Sequence, residues 1–167
     1  MALIKPVKSV FPIIPDSCFL AENSTITGDV KMGEECSVWY NAVIRGDVNS
    51  IEIGNKVNIQ DGAVIHCTFQ KAATKIGNSV SIGHNAIVHG CTLEDEVLIG
   101  MGAIVMDHAV VGSGSIVAAG AVVTAGTKIE PNSIYAGTPA KRIASTSDEH
   151  KKLITRTAEN YIMYSKF

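Results

Sequence analysis

Aliphatic side chains recur at every sixth position over most of the chain. Leu20, Ile26, Met32, Val38 and Ile44 open the series, and Ile53, Ile59 and Ile65 continue it after a change of phase, followed by Ile76, Ile82 and Val88. Leu93, Ile99, Val105, Val111, Val117, Val123 and Ile129 then run without a break, and Tyr135 closes nineteen hexads. Two places before the anchors stand smaller residues: Ser24, Cys36, Ala42, Ala63, Ala86, Cys91, Ala103, Ala109, Ser115 and Ala121. Alternation along an extended strand turns them to the same inner face. Glycine follows many anchors, at Gly33, Gly54, Gly77, Gly83, Gly100 and Gly112. A helix of 3.6 residues per turn cannot keep a strict period of six, whereas a coil of three short strands and three corners can. The pattern predicts an all-β solenoid of triangular section with about six coils, roughly 29 Å tall at ~4.8 Å per coil.

The phase breaks three times, with three extra residues between Ile44 and Ile53, five between Ile65 and Ile76, and one fewer between Val88 and Leu93. All three breaks fall in one region, and loops inserted on a repeat scaffold tend to carry function. The solenoid is expected over 1–140, with hexads over about 18–137 and a loop at 67–75. Thr146-Ser147-Asp148-Glu149 reads as a capping box that opens a helix within 146–167. Ile154, Ala158, Tyr161, Ile162 and Ser165 form the stripe expected to cover the solenoid.

Composition narrows the class. The chain has 20 Ile and 17 Val against 5 Leu, a balance that favours strands over helices. A net charge of -2 supplies no electrostatic footprint for nucleic acid, and no apolar run approaches the ~18 residues of a membrane span. Met1 to Pro15, interrupted by Pro6, Pro12 and Pro15, lacks the features of a secretory signal, so a cytoplasmic location is expected. The four cysteines are then expected to be free, with Cys18, Cys36 and Cys91 as small hydrophobes two places before an anchor. Cys67 reads as packed at a corner, with a ligand or nucleophile role as the alternative, while His108 and His150 read as surface residues.

Three hexads make one coil, so residues at the same place three hexads apart stack. Arg45, His66 and His89 each follow an anchor and point outward, forming one column on one face. Asp61 and His84 each lie two places after an anchor, at a corner. His84 and His89 are five residues apart on nearly extended chain, roughly 16 Å at ~3.3 Å per residue. Two imidazoles with metal bonds of ~2 Å do not bridge that gap. For all three histidines to hold one ion, His84 must come from a neighbouring chain. That predicts a trimer in which one chain's corner meets the next chain's face.

Arg45-Gly46-Asp47, Asn58-Ile59-Gln60-Asp61, Ile65-His66 and His84-x4-His89 are set on hexads that run from about Val10 to the C-terminal helix. This constellation resembles the gamma-class carbonic anhydrases and their bacterial homologues, hexapeptide-repeat proteins with a left-handed parallel β-helix. The left hand comes from the resemblance, since the usual crossover is right-handed. The resemblance implies a homotrimer in which His66, His84 and His89 bind a divalent ion shared between subunits. It implies that Gln60 and Asn58 orient the hydroxide or bicarbonate, that Arg45, Asp47 and Asp61 form ion pairs across the interface, and that Tyr161 sits near the metal. Three neutral imidazoles leave a fourth position for water whose pKa falls toward ~7, so that hydroxide attacks CO2 and bicarbonate results. Zn2+ is the expected ion, and the same ligands suit Fe2+ and Co2+.

The best-studied members carry a carboxylate in a longer loop after the first histidine, used to move protons away from the metal water. Thr68–Lys75 has none, and Val48 stands where those members place an acid. Two other readings are an acyltransferase or thioesterase acting on acyl-coenzyme A and a noncatalytic trimeric scaffold fastened by metal. Tyr135-Ala-Gly-Thr-Pro-Ala-Lys141 resembles the closing segment of the hexapeptide-repeat acyltransferases.

Overall fold

In the computed structural model, which describes residues 1–167, the hexads wind into a left-handed parallel β-solenoid closed by one C-terminal helix. Every anchor except Leu20 is buried, as are the ten small residues two places before an anchor. Leu20 is half-buried because its rung, Phe19–Leu20, is the outermost on its face. The inward side chains form one continuous core of 33 residues. Each buried aliphatic anchor contributes about 1.5–3 kcal/mol of transfer free energy, so every added turn extends the core by another layer.

One face stacks seven parallel rungs, from Phe19–Leu20 through Asn58–Ile59 and Ser81–Ile82 to Ser133–Ala136, and Lys141–Ser145 adds an antiparallel strand at the end. The C-terminal helix packs on the Asn58–Ile59 and Ser81–Ile82 rungs. The next face carries Val64–His66 and Ile87–His89 between the start of the Val43–Ile53 strand and Ile104–Val105. The third holds Thr74–Ile76, Thr92–Leu93, Val110–Val111 and Lys128–Ile129. About seven turns result rather than six. The additional turn comes from the proline-broken start of the chain, where Leu3–Lys5 pairs with Thr25–Thr27 and Ile13 bridges to Lys31. Backbone pairing there holds a turn that has no hexad to announce it.

The three phase breaks stack at one corner, between the second and third faces. The three residues added after Ile44 are absorbed in one eleven-residue strand, Val43–Ile53. The five added after Ile65 form a small turn in which Thr68 and Ala72 exchange backbone hydrogen bonds of 3.0 and 3.2 Å. At the corner leading into the second face, Asn41, Gly62, Asn85, Gly102 and Gly120 all have φ between 57° and 70°, which Gly and Asn tolerate best. A Cβ on Gly62 would lie 2.2 Å from Oδ1 of Asn85, so a side chain there would also displace the Asn85 amide. Asp61 and His84 immediately precede Gly62 and Asn85, and this turn aims both from the corner.

The helix spans Asp148–Tyr164 and starts one residue later than the sequence suggests. Ser147, not Thr146, is the N-cap, and His150 rather than Glu149 completes the capping box. Ile154 and Ala158 are its buried residues, with Tyr161, Ile162 and Ser165 half-buried beside them.

Ile82 is fully buried beneath the helix-covered face. Ile82→Ala is expected to destabilise the fold by roughly 2–5 kcal/mol, and Lys128→Ala, at an exposed site, by less than about 0.5 kcal/mol. Denaturant midpoints of the two variants check this difference.

Candidate metal centre

Parallel register places His66 opposite His89, and the Ile44–Ile65 pairing sets Arg45 next in the same column. The imidazoles meet edge-on with centroids 5.0 Å apart. Nδ1 of His66 lies 3.0 Å from Nε2 of His89. The other nitrogen of each ring is held by a carboxylate: Nε2 of His66 by Oδ1 of Asp47 at 3.0 Å, and Nδ1 of His89 by Oδ1 of Asp107 at 2.6 Å. A carboxylate only accepts hydrogen bonds, so in neutral rings the protons sit on the outer nitrogens and the lone pairs converge between the rings. Two nitrogens bound to one tetrahedral ion at ~2.0–2.1 Å stand ~3.3 Å apart, close to the spacing found here. The pair therefore fits a divalent ion.

Local electrostatics keep the pair ready for that role. Burial lowers the His66 pKa below its usual 6.5, against the opposing pull of Asp47. Burial alone would raise the Asp47 pKa, but hydrogen bonds from Arg45, at 2.5 Å, and from His66 outweigh it and hold the carboxyl below 3.8. Asp107 behaves likewise: burial is outweighed by hydrogen bonds from Thr68 and His89, and its carboxyl also lies below 3.8.

His84 stands at the far corner of the same face with 42% of its side chain exposed, and its Nδ1 is 3.0 Å from Oδ2 of Asp61. Asn58 and Gln60 lie buried on the preceding face, under the helix. Nδ2 of Asn58 donates to Oγ of Ser81 at 2.8 Å, and Nε2 of Gln60 donates to Oδ1 of Asn58 at 3.0 Å. Gln60, His84 and Tyr161 line one cleft of about 310 Å³. Tyr161 packs edge-on against Trp39 with ring centroids 5.4 Å apart. Burial, then the negative charge of Asp61, raises its pKa, so it remains a phenol at neutral pH.

No three potential metal ligands gather within one chain. The structure sorts the candidates into two groups. Arg45, Asp47, His66 and His89 share one edge, and Asn58, Gln60, Asp61, His84 and Tyr161 share the opposite corner. Within the chain, Arg45 pairs with Asp47, and Asp61 with His84.

Sequence reasoning missed Asp107 and Thr74. Asp107 lies 18 residues, one coil, beyond His89, and a carboxylate one coil from a column histidine was the signal available. Thr74 is fully buried; its hydroxyl donates to the carbonyl of His66 at 2.5 Å and accepts from the N–H of Gly90 at 2.9 Å. It thereby ties together the strands that carry the two histidines. The four cysteines are free, Cys18 half-buried and the others buried. The Cys67 thiol donates to the carbonyl of Asn49 at 3.2 Å, and burial pushes its pKa up, which makes it a packed thiol rather than a nucleophile.

In the metal-free chain, NMR is expected to show His66 titrating below 6.5, and a value at or above 6.5 would mean that Asp47 outweighs burial. Folding then disfavours protonation of both His66 and Asp47, so the unfolded state binds more protons as pH falls. Stability is lost first as pH drops below ~6.5 toward the folded value of His66, and again below ~3.8 through Asp47. Unfolding midpoints measured against pH check the two windows.

The bacterial transferase hexapeptide (six repeats) family matches residues 90–125. The probable carbonic anhydrase of Methanocaldococcus jannaschii is 50% identical over 147 residues, which cover 88% of this chain and 92% of that protein. The mitochondrial gamma carbonic anhydrase 2 of Arabidopsis thaliana is 39% identical over 156 residues; these cover 90% of this chain, which spans only 56% of that longer protein. A crystal structure described as a putative acetyltransferase from Bacillus cereus superposes with a TM-score of 0.94 at 42% identity, covering 98% of this chain and 95% of that one. With the hexads, the paired histidines and these relatives in place, the chain belongs to the gamma-class carbonic anhydrase-like family of hexapeptide-repeat proteins.

Proposed function

We propose that the chain is a gamma-type carbonic anhydrase that hydrates CO2 reversibly to bicarbonate, with a divalent ion, Zn2+ by preference, shared between subunits of a homotrimer. One observation carries this reading. Each of the three histidines has one ring nitrogen engaged by its own aspartate, Asp47 for His66, Asp61 for His84 and Asp107 for His89. That arrangement orients imidazoles as metal ligands by fixing tautomer and ring direction. Nδ1 of His66 and Nε2 of His89 from one chain, with Nε2 of His84 from the next, would hold the ion. When bound, it would lower the pKa of a coordinated water toward ~7.

The remaining residues prepare the surroundings. Ser81 holds Asn58, and Asn58 accepts the Gln60 amide N–H, which leaves Oε1 of Gln60 to accept from a hydroxyl-bearing substrate or product in the cleft. Tyr161 offers a phenolic donor beside the same cleft, and Leu98, Ile99, Met101 and Ala119 give that cleft an apolar wall suited to CO2. Arg45 holds Asp47 in its charged form, so the proton on Nε2 of His66 keeps an acceptor. The turn at Thr68–Ala72 brings no carboxylate to the site, and Val48 packs against the core instead of offering an acid. Proton release therefore falls to solvent buffer.

CO2 hydration by stopped flow, on protein loaded with Zn2+ or, anaerobically, with Fe2+, tests the reading. Turnover that rises with buffer concentration is expected. Full metal occupancy with no rate above buffer in either form would sink the enzyme and leave the scaffold, whereas an acyltransferase of this fold would need no ion. The shared site has its own test. His84→Ala and His89→Ala are each expected to abolish metal binding, and mixed trimers of the two variants to recover part of it. Failure to recover any would refute ligands that cross the interface.

A further inference from the structure

Two of the three phase breaks converge on His89. The turn inserted after Ile65 is closed by paired bonds between Thr68 and Ala72, and the Thr68 carbonyl also accepts from Nδ2 of Asn49 at 3.3 Å. Its backbone is thus held from both sides. The Thr68 hydroxyl donates to Oδ2 of Asp107 at 2.5 Å. Oδ1 of the same carboxylate accepts from Nδ1 of His89 at 2.6 Å. The break after Val88 shortens the next corner by one residue, and Gly90 sits there with φ +55°. A Cβ on Gly90 would stand 2.5 Å from Oδ1 and 2.9 Å from Cγ of Asp107, so only glycine lets the carboxylate approach this closely. Insertion and deletion together build one clamp: the longer corner supplies a donor and the shorter corner makes room for its acceptor.

Resting on the reading of His66, His84 and His89 as metal ligands, we propose that Thr68 and Asp107 are positioning residues for His89. The 67–75 loop, without a carboxylate to move protons, fixes through Thr68 the aspartate that sets the ring direction and tautomer of His89, so that Nε2 faces His66. Asp47 serves His66 from one coil below with Arg45 as its partner, and Asp107 serves His89 from one coil above with Thr68 as its partner. The two histidines are held by unlike supports, one charged and one neutral.

The test uses the full chain and reads Zn2+ affinity directly, by competition with a chromophoric chelator. Loss of a partner that orients a ligand costs about 10- to 100-fold in metal affinity. Asp107→Asn is expected to fall in that range, Thr68→Val to lose several-fold at least, and Thr68→Ser to bind as the unaltered chain does. Melting temperatures of the metal-free variants are expected to match the unaltered chain. The proposal is overturned if Asp107→Asn and Thr68→Val keep full affinity, or if Thr68→Ser fails with Thr68→Val while both metal-free proteins melt early, which marks a purely structural role. An unaltered chain that takes up no Zn2+ overturns the metal site itself, an outcome distinct from equal uptake by all variants.

Discussion

Parallel stacking of each residue on its counterpart one coil away is the constraint on which the rest of this molecule depends. Rungs as short as Asn58–Ile59 or Leu98–Ile99 have no stability of their own. They persist because each is hydrogen-bonded to the rung on either side and because its anchor adds to a core shared by all turns. Stacking also makes chemistry cumulative. A histidine after one anchor finds whatever follows the anchor one coil above, and His66 and His89 are neighbours for that reason.

The same constraint keeps apart what the proposed reaction needs together. A flat strand cannot bend His84 back toward His89, so one end of the second face carries two imidazoles and the other carries the third. In the proposed trimer each chain would give two imidazoles to one site and the third to the next, an arrangement that a single solenoid cannot satisfy alone. Gln60 and Asn58 belong with His84 because the helix buries them on the adjoining face. Their mutual hydrogen bond satisfies polar groups that would otherwise be costly beneath an apolar cover.

Departures from the repeat are where the fold accommodates polar structure. Thr74 enters the solenoid wall fully buried, yet its hydroxyl both donates and accepts. The Thr68 turn places a hydroxyl on Asp107, and Gly90 clears the space for that carboxylate. Thr146 alone leaves a buried side-chain oxygen without a partner, at the helix approach rather than at the site. The buried polar side chains introduced by the phase breaks are thus paired, as a low-dielectric wall requires.

Residue order alone sets the period, the inward anchors, the small residues beside them, the column of Arg45, His66 and His89, and the separation of His84 from that column. All of these follow from the local alternation of an extended chain and from counting by six. That Leu3–Lys5 and Ile13 complete a seventh turn emerges in the folded chain, since pairing there rests on neighbouring strands and not on a hexad. The tertiary structure also decided that Ser147 and His150 cap the helix, because Ser147 is the residue held in extended backbone at the entry, where its side chain reaches the His150 N–H. The assignment of aspartates to histidines was only partly in view. Asp61 and His84 share a corner position, and Asp107 lies one coil beyond His89; that Asp47 meets His66, and that the Asp107 carboxylate turns to His89, depends on how an inserted turn and a shortened corner aim the side chains.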